Sequence, residues 1–162
     1  MSINHVIVNS SPLIVLFKSK QAELLPQLFK SVLVPSGVFE EVTAAGSTDI
    51  AARELPRVPW IQQVEVTAIV PEVAAWDLGK GESQVLSLAL STENCAAIVD
   101  DRAARRCGQV LGISTIGTGG LLIRAKRRGL IDSVSQGIEA LSDAGLWISD
   151  NLVSLLKQQA GE

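Results

Sequence analysis

Five carboxylates and one carboxamide stand where the chain is about to change direction. Asn9 follows an apolar run at residues 6–8, and Asp100 and Asp101 follow another at residues 96–99. Glu82 comes directly after Gly79-Lys80-Gly81, and Glu40 and Glu41 lie a few residues beyond Pro35-Ser36. Hard divalent cations such as Mg²⁺ and Mn²⁺ want oxygen ligands of this kind, often a few carboxylates with water and substrate phosphate. A cation held in that way activates water and stabilises charge on a phosphate. Asn9 can lend a carbonyl oxygen or orient a water. Paired acids are also ordinary surface residues, so their meaning depends on what brings them together.

Other chemistries have weaker support. His5 is the lone histidine and precedes the first apolar run, on the wrong side for a Ser-His-Asp arrangement. Cys95 and Cys107 fit no zinc spacing and read as structural thiols. Gly79-Lys80-Gly81-Glu82-Ser83 lacks the spacing of a phosphate-cradling loop, and Glu82 there also suits the first turn of a helix. Gly117-Thr118-Gly119-Gly120 follows an apolar run and precedes a helical stretch, where an anion can sit. Its glycine spacing is not the dinucleotide fingerprint, and no acid follows to hold a ribose. A small-molecule α/β enzyme is therefore a minor reading.

The elements that must position these groups alternate along the chain. Short apolar runs at residues 6–8, 32–34, 96–99 and 113–116 read as strands, with a patchier one at Ile61, Val64 and Val66. Between them the pattern predicts helices. The first is capped by Ser10 or Ser11 with Pro12 in its first turn; another covers residues 22–29, bent or split by Pro26. Further helices open at Pro35-Ser36 and run from a Ser47-Thr48-Asp49 cap to Leu55. Others follow at residues 82–90 and 102–111, then after Gly117-Thr118-Gly119-Gly120 as far as Arg128, and at residues 133–144 and 150–159. Strands apolar throughout and separated by helices indicate a parallel sheet covered on both faces. Ligands then bind beyond the carboxyl ends of the strands, which selects Asn9, Asp100, Asp101 and Gly117-Thr118.

The 162 residues are 47% hydrophobic and 19% charged, which excludes wholesale disorder and predicts one domain over residues 1–162. The apolar stretch at residues 6–17 is broken by Asn9-Ser10-Ser11-Pro12, too short for a membrane span, and no basic lead marks it as a secretory signal. A reduced cytosol is the expected compartment. Net charge is −3, but residues 102–128 hold seven basic side chains and no acid: Arg102, Arg105, Arg106, Arg124, Lys126, Arg127 and Arg128. That segment carries +7 and the rest of the chain −10. Such asymmetry can hold an anionic polymer against one side of an acidic protein; two solvated helix faces are the plainer alternative.

Taken together, the motifs resemble those of PIN-domain proteins, in particular a prokaryotic nucleic-acid-binding branch related to toxin–antitoxin ribonucleases. The likeness covers nearly the whole chain. It rests on Val8-Asn9-Ser10-Ser11-Pro12-Leu13-Ile14, Val34-Pro35 with Val38-Phe39-Glu40-Glu41-Val42, and Gly79-Lys80-Gly81-Glu82-Ser83 with Ala89. It continues through Ile98-Val99-Asp100-Asp101-Arg102 with Ala104-Arg105 and Ile116-Gly117-Thr118-Gly119-Gly120-Leu121-Leu122. Ala125-Lys126 and Gly129-Leu130-Ile131 close it. Each motif alone is weak; in this order and at these spacings they are specific.

The resemblance implies a three-layer α/β/α sandwich with a small parallel sheet, often dimeric, and an Mg²⁺- or Mn²⁺-dependent ribonuclease site. It also implies a toxin blocked by a small antitoxin protein. Carried over by position, the family's helix acid falls on Glu41, with Glu40 the near alternative, its middle acid on Glu82, and its strand-end acid on Asp100 with Asp101 beside it. The polar residue after the next strand falls on Thr118, and the seven basic side chains are the expected backbone-phosphate contacts. One departure is plain: the family's first acid falls on Asn9, a neutral residue, which predicts weak cation binding. The alternative reading is therefore a catalytically weak or inactive RNA-binding or protein-interaction module. On the first reading Asp100→Ala is expected to abolish cleavage and leave folding nearly intact, since removing one acid from a cluster relieves repulsion.

Overall fold

The computed structural model describes residues 3–162. Its strands are β1 (His5–Val8), β2 (Ser31–Pro35), β3 (Ile61–Val64), β4 (Cys95–Ile98) and β5 (Thr115–Ile116). They form one all-parallel sheet in the order β3-β2-β1-β4-β5. The helices are α1 (Ser10–Lys18), α2 (Leu24–Leu28), α3 (Ser36–Thr43), α4 (Ile50–Glu54) and α5 (Pro71–Ala74). They continue with α6 (Lys80–Leu90), α7 (Arg102–Val110), α8 (Thr118–Arg127), α9 (Val134–Asp143) and α10 (Asp150–Gln159). Val6, Ile7 and Val8 are all fully buried, as are Ala96, Ala97 and Ile98. Successive strand side chains point to opposite faces, so both faces of the central strands are covered. The result is an α/β/α sandwich.

The strand order turns at the β1–β4 pair, where Val8 lies beside Ile98. From β1 the chain builds outward to β2 and β3; after β3 it crosses over to β4 and β5 on the other side. At that switch point the loops leave in opposite directions and open a crevice. Asn9 leaves β1 there, and Asp100 and Asp101 follow β4. Glu41 and Glu82 arrive on α3 and α6, which pack against each other. Their contact is close because Gly37 has no side chain: its backbone N–H donates to Oε1 of the buried Gln84 at 2.8 Å. A Cβ on Gly37 would sit 2.6 Å from that oxygen.

Several boundaries differ from the sequence pattern, each for a local reason. Asn9, not Ser10 or Ser11, is the residue that precedes α1, and its carbonyl accepts from the Leu13 N–H at 3.2 Å. The region around Pro26 forms one short helix, in whose first turn the missing proline N–H leaves no bond unmade. Asp49 does cap α4, accepting from the Ala52 N–H at 3.0 Å. In the last strand, Ile113 turns back to donate to the Gly108 carbonyl at 2.8 Å, which leaves only Thr115–Ile116 paired. The four-residue α5 has too little periodicity to be read from sequence.

Away from the crevice, the carboxylate of Glu162 joins three helices. It accepts from the Val134 N–H (2.7 Å), the Ser135 N–H (3.0 Å) and the Ser135 hydroxyl (2.6 Å), and pairs with Lys126 Nζ (2.7 Å). The Lys126 ammonium and these donors hold its carboxyl well below the usual carboxylate range. A depressed pKa adds stability that is complete above the ordinary carboxylate pKa and is lost as the pH falls below it. Melting of the native chain and of Glu162→Gln across pH is expected to show the variant weaker at neutral pH, with the gap closing in acid.

Candidate active site

The crevice holds a cleft of about 490 Å³ lined by Asn9, Ser10, Glu40, Glu41, Gly81 and Glu82, among others. Asn9 is buried, and its carboxamide makes no capping bond to α1, so its oxygen stays available to the cleft. Its Oδ1 lies 3.5 Å from the point a Cβ on Gly81 would occupy, and Glu41 Oε2 lies 3.2 Å from the same point. Two oxygens thus converge on a glycine that leaves space for them. Glu41 is steadied by Ser10, whose hydroxyl donates to Oε2 at 2.7 Å. Sequence reading treated Ser10 only as a possible helix cap. Its position directly after Asn9, facing the start of the crevice, was the available signal.

Glu82 stands in the first turn of α6, partly buried. Burial raises its pKa, and the negative charges of Asp101 and Glu41 raise it further. Glu41, Glu82 and Asp101 therefore share one field. Asp101 also caps α7 by accepting from the Ala104 N–H at 3.0 Å through Oδ2; its Oδ1 has no hydrogen-bond partner among the described residues. Glu40 instead faces Lys80 at 3.9 Å on an exposed rim, where such a pair contributes little. A raised carboxyl pKa favours the fold at low pH, and that advantage is lost as the pH rises through the folded value. Accordingly, Glu82→Gln without metal is expected to melt higher than the native chain at neutral pH, with the difference shrinking in acid.

Asp100 is tied to α8. Its Oδ1 accepts from the Thr118 N–H at 2.8 Å and its Oδ2 from the Thr118 hydroxyl at 2.6 Å. Thr118 is fully buried at the start of α8, so this pair ties the end of β4 to that helix. On its open side Asp100 borders a recess with Arg102, Arg105, Arg106 and Gln109. The two neighbouring aspartates thus serve different surroundings. Among the basic side chains, Lys126 is engaged by Glu162 and by the Ala160 carbonyl at 2.8 Å. The six arginines form no ion pair among the described residues. His5 opens β1 at the far end of the strand, and Cys107 is buried in α7.

Asn9, Glu41 and Glu82 offer the cleft oxygen ligands, the kind a hard cation prefers, and Lys80 also lines it. Mg²⁺ in particular keeps several waters and needs only one or two carboxylates. Asn9 Oδ1, Glu41 Oε2 and the partly desolvated Glu82 carboxyl fit that requirement in kind. They do not form a closed cage: among the described residues no three His, Cys, Asp or Glu side chains converge as placed to hold an ion.

A family model described as PIN domain matches residues 5–162, and the chain belongs to that family. PIN domains have a nuclease-type fold and are generally dependent on divalent metal. A comparison with curated proteins gives no match. Among the described residues, no helix is long and apolar enough to cross a membrane.

Proposed function

We propose that this chain is a metal-dependent ribonuclease of PIN type, acting as the toxin component of a toxin–antitoxin pair and held in check by a small antitoxin protein. The observation that carries the nuclease reading is Glu82: a half-buried carboxyl crowded by Glu41 and Asp101, beside an Asn9 oxygen with no capping duty. Such a group of acids is relieved by a cation. Glu41, Glu82 and Asp101 are the residues that would hold Mg²⁺ or Mn²⁺, with Asn9 lending a neutral oxygen. When bound, the metal supplies a water of lowered pKa and neutralises charge on the phosphodiester. Ser10 fixes the Glu41 carboxylate, Asp101 keeps its place through the α7 cap, and Gly81 keeps the approach open. Asp100, in this reading, sets the position of Thr118 and α8. The arginines of α7 and α8 meet backbone phosphates without reading bases.

The test is degradation of single-stranded RNA by the full chain with Mn²⁺, with and without chelator. Chelator-sensitive cleavage is the expected result; RNA bound with a salt-dependent affinity but left intact supports the second reading, a PIN-like RNA-binding module. Asn9 and the open arrangement of the acids favour that second reading. Asn9→Asp restores a charge at the crevice, and calorimetry should find Mn²⁺ bound on the order of tenfold more tightly by the variant. Equal affinities would remove Asn9 as the weak point. The toxin assignment and the homodimer that goes with it rest on the family resemblance. Growth arrest on expression, relieved by a small protein encoded directly upstream, would support the toxin role.

A further inference from the structure

A second cavity, of about 760 Å³, runs beside the edge strand β5 and the start of α8 and shares no lining residue with the acid cleft. Arg105, Arg124, Arg127 and Arg128 line it, Leu28 and Phe29 form an apolar wall, and no carboxylate is among its lining residues. Four guanidinium groups, none of them in an ion pair among the described residues, border one hollow and give it a positive field that attracts an anion. Guanidinium is also the side-chain group best shaped to take phosphate oxygens two at a time. The volume lies within the range of pockets that enclose small organic ligands.

We infer that this cavity binds one phosphate-bearing nucleotide unit, with the arginines on the phosphate and the sugar and base against the apolar wall. Only the identity of the strand rests on the ribonuclease reading; the anion site stands on the cavity itself. Two of the four arginines also serve the fold: Arg105 donates to the Val99 carbonyl at 3.2 Å and Arg128 to the Leu28 carbonyl at 3.4 Å. The Arg124 and Arg127 side chains have no hydrogen-bond partner among the described residues and are exposed, so they report on ligand alone.

The experiment titrates the full chain, in EDTA so that cleavage plays no part, with a nucleoside 5′-monophosphate and with a single-stranded RNA hexamer. The Arg124→Gln/Arg127→Gln double variant is expected to bind at least about tenfold more weakly. Its slope of log affinity against log salt should be shallower by roughly 1, since each phosphate contact on a single strand contributes about 0.7. Arg53→Gln, which removes an ion pair with Glu54 outside the cavity, should bind like the native chain. Binding of the monophosphate identifies a free or terminal phosphate as the ligand; binding of the hexamer alone places the site on phosphates within a strand. The inference is overturned if the double variant binds both probes as the native chain does, or if the native chain binds neither at low salt.

Discussion

Asp100→Ala is expected to lower the melting temperature by roughly 6–12 °C. The Asp100 carboxylate takes both the N–H and the hydroxyl of Thr118, at 2.8 and 2.6 Å, and Thr118 is fully buried. The N–H belongs to the first residue of α8, one of the donors that a helix cannot satisfy from within. A carboxylate there also faces the positive end of the helix dipole. Removing it leaves a buried donor and a buried hydroxyl without partners, at about 1–3 kcal/mol each. A total near ~3 kcal/mol converts to that temperature shift at about 2–4 °C per kcal/mol for a chain of this size. Folding left nearly intact, as expected when Asp100 is counted only as one acid of a cluster, would show that the Thr118 contacts carry little weight. Asp100→Asn keeps an oxygen for the N–H and offers an amide to the hydroxyl, so it should recover most of the loss.

On the proposed ribonuclease reading, Asp101→Asn is expected to cut Mn²⁺-dependent RNA cleavage by about 100-fold or more while changing stability little. Asparagine caps a helix as well as aspartate does, so the bond from the Ala104 N–H to this side chain survives. What disappears is a charge that acts on Glu82, in a cleft where cation affinity follows the number of charged ligands. A loss of one to two decades is typical even for groups behind the ligand shell, and a residue in contact with the ion loses at least as much. The Asp100→Asn protein is the matched control. If it loses cleavage while Asp101→Asn retains it, the roles of the two aspartates are reversed.

Much of this fold is visible in the pattern of residues. Runs such as Val6-Ile7-Val8 and Ala96-Ala97-Ile98, apolar at every position, can only be buried on both faces, and that requires a parallel sheet between helices. The polar residues that end those runs must then sit at the open end of the sheet, which confines Asn9, Asp100 and Asp101 to one region. Short elements were less legible. The strand expected over residues 113–116 pairs only at Thr115–Ile116, and the four-residue α5 offers no period to read.

What composition and order determined by themselves was which groups stand at the strand ends beside the crevice, because side-chain periodicity and strand direction are local properties. Which oxygen faces which partner was decided only by packing. Asp100 and Asp101 are adjacent and chemically identical, yet one bonds a buried threonine eighteen positions away, while the other caps its own helix and adds negative charge to the surroundings of Glu82. Ser10 similarly meets Glu41 across thirty-one positions. The four arginines around the second cavity come from helices separated by a strand. Such meetings depend on the angle and distance at which helices settle on the sheet, which the whole core sets at once.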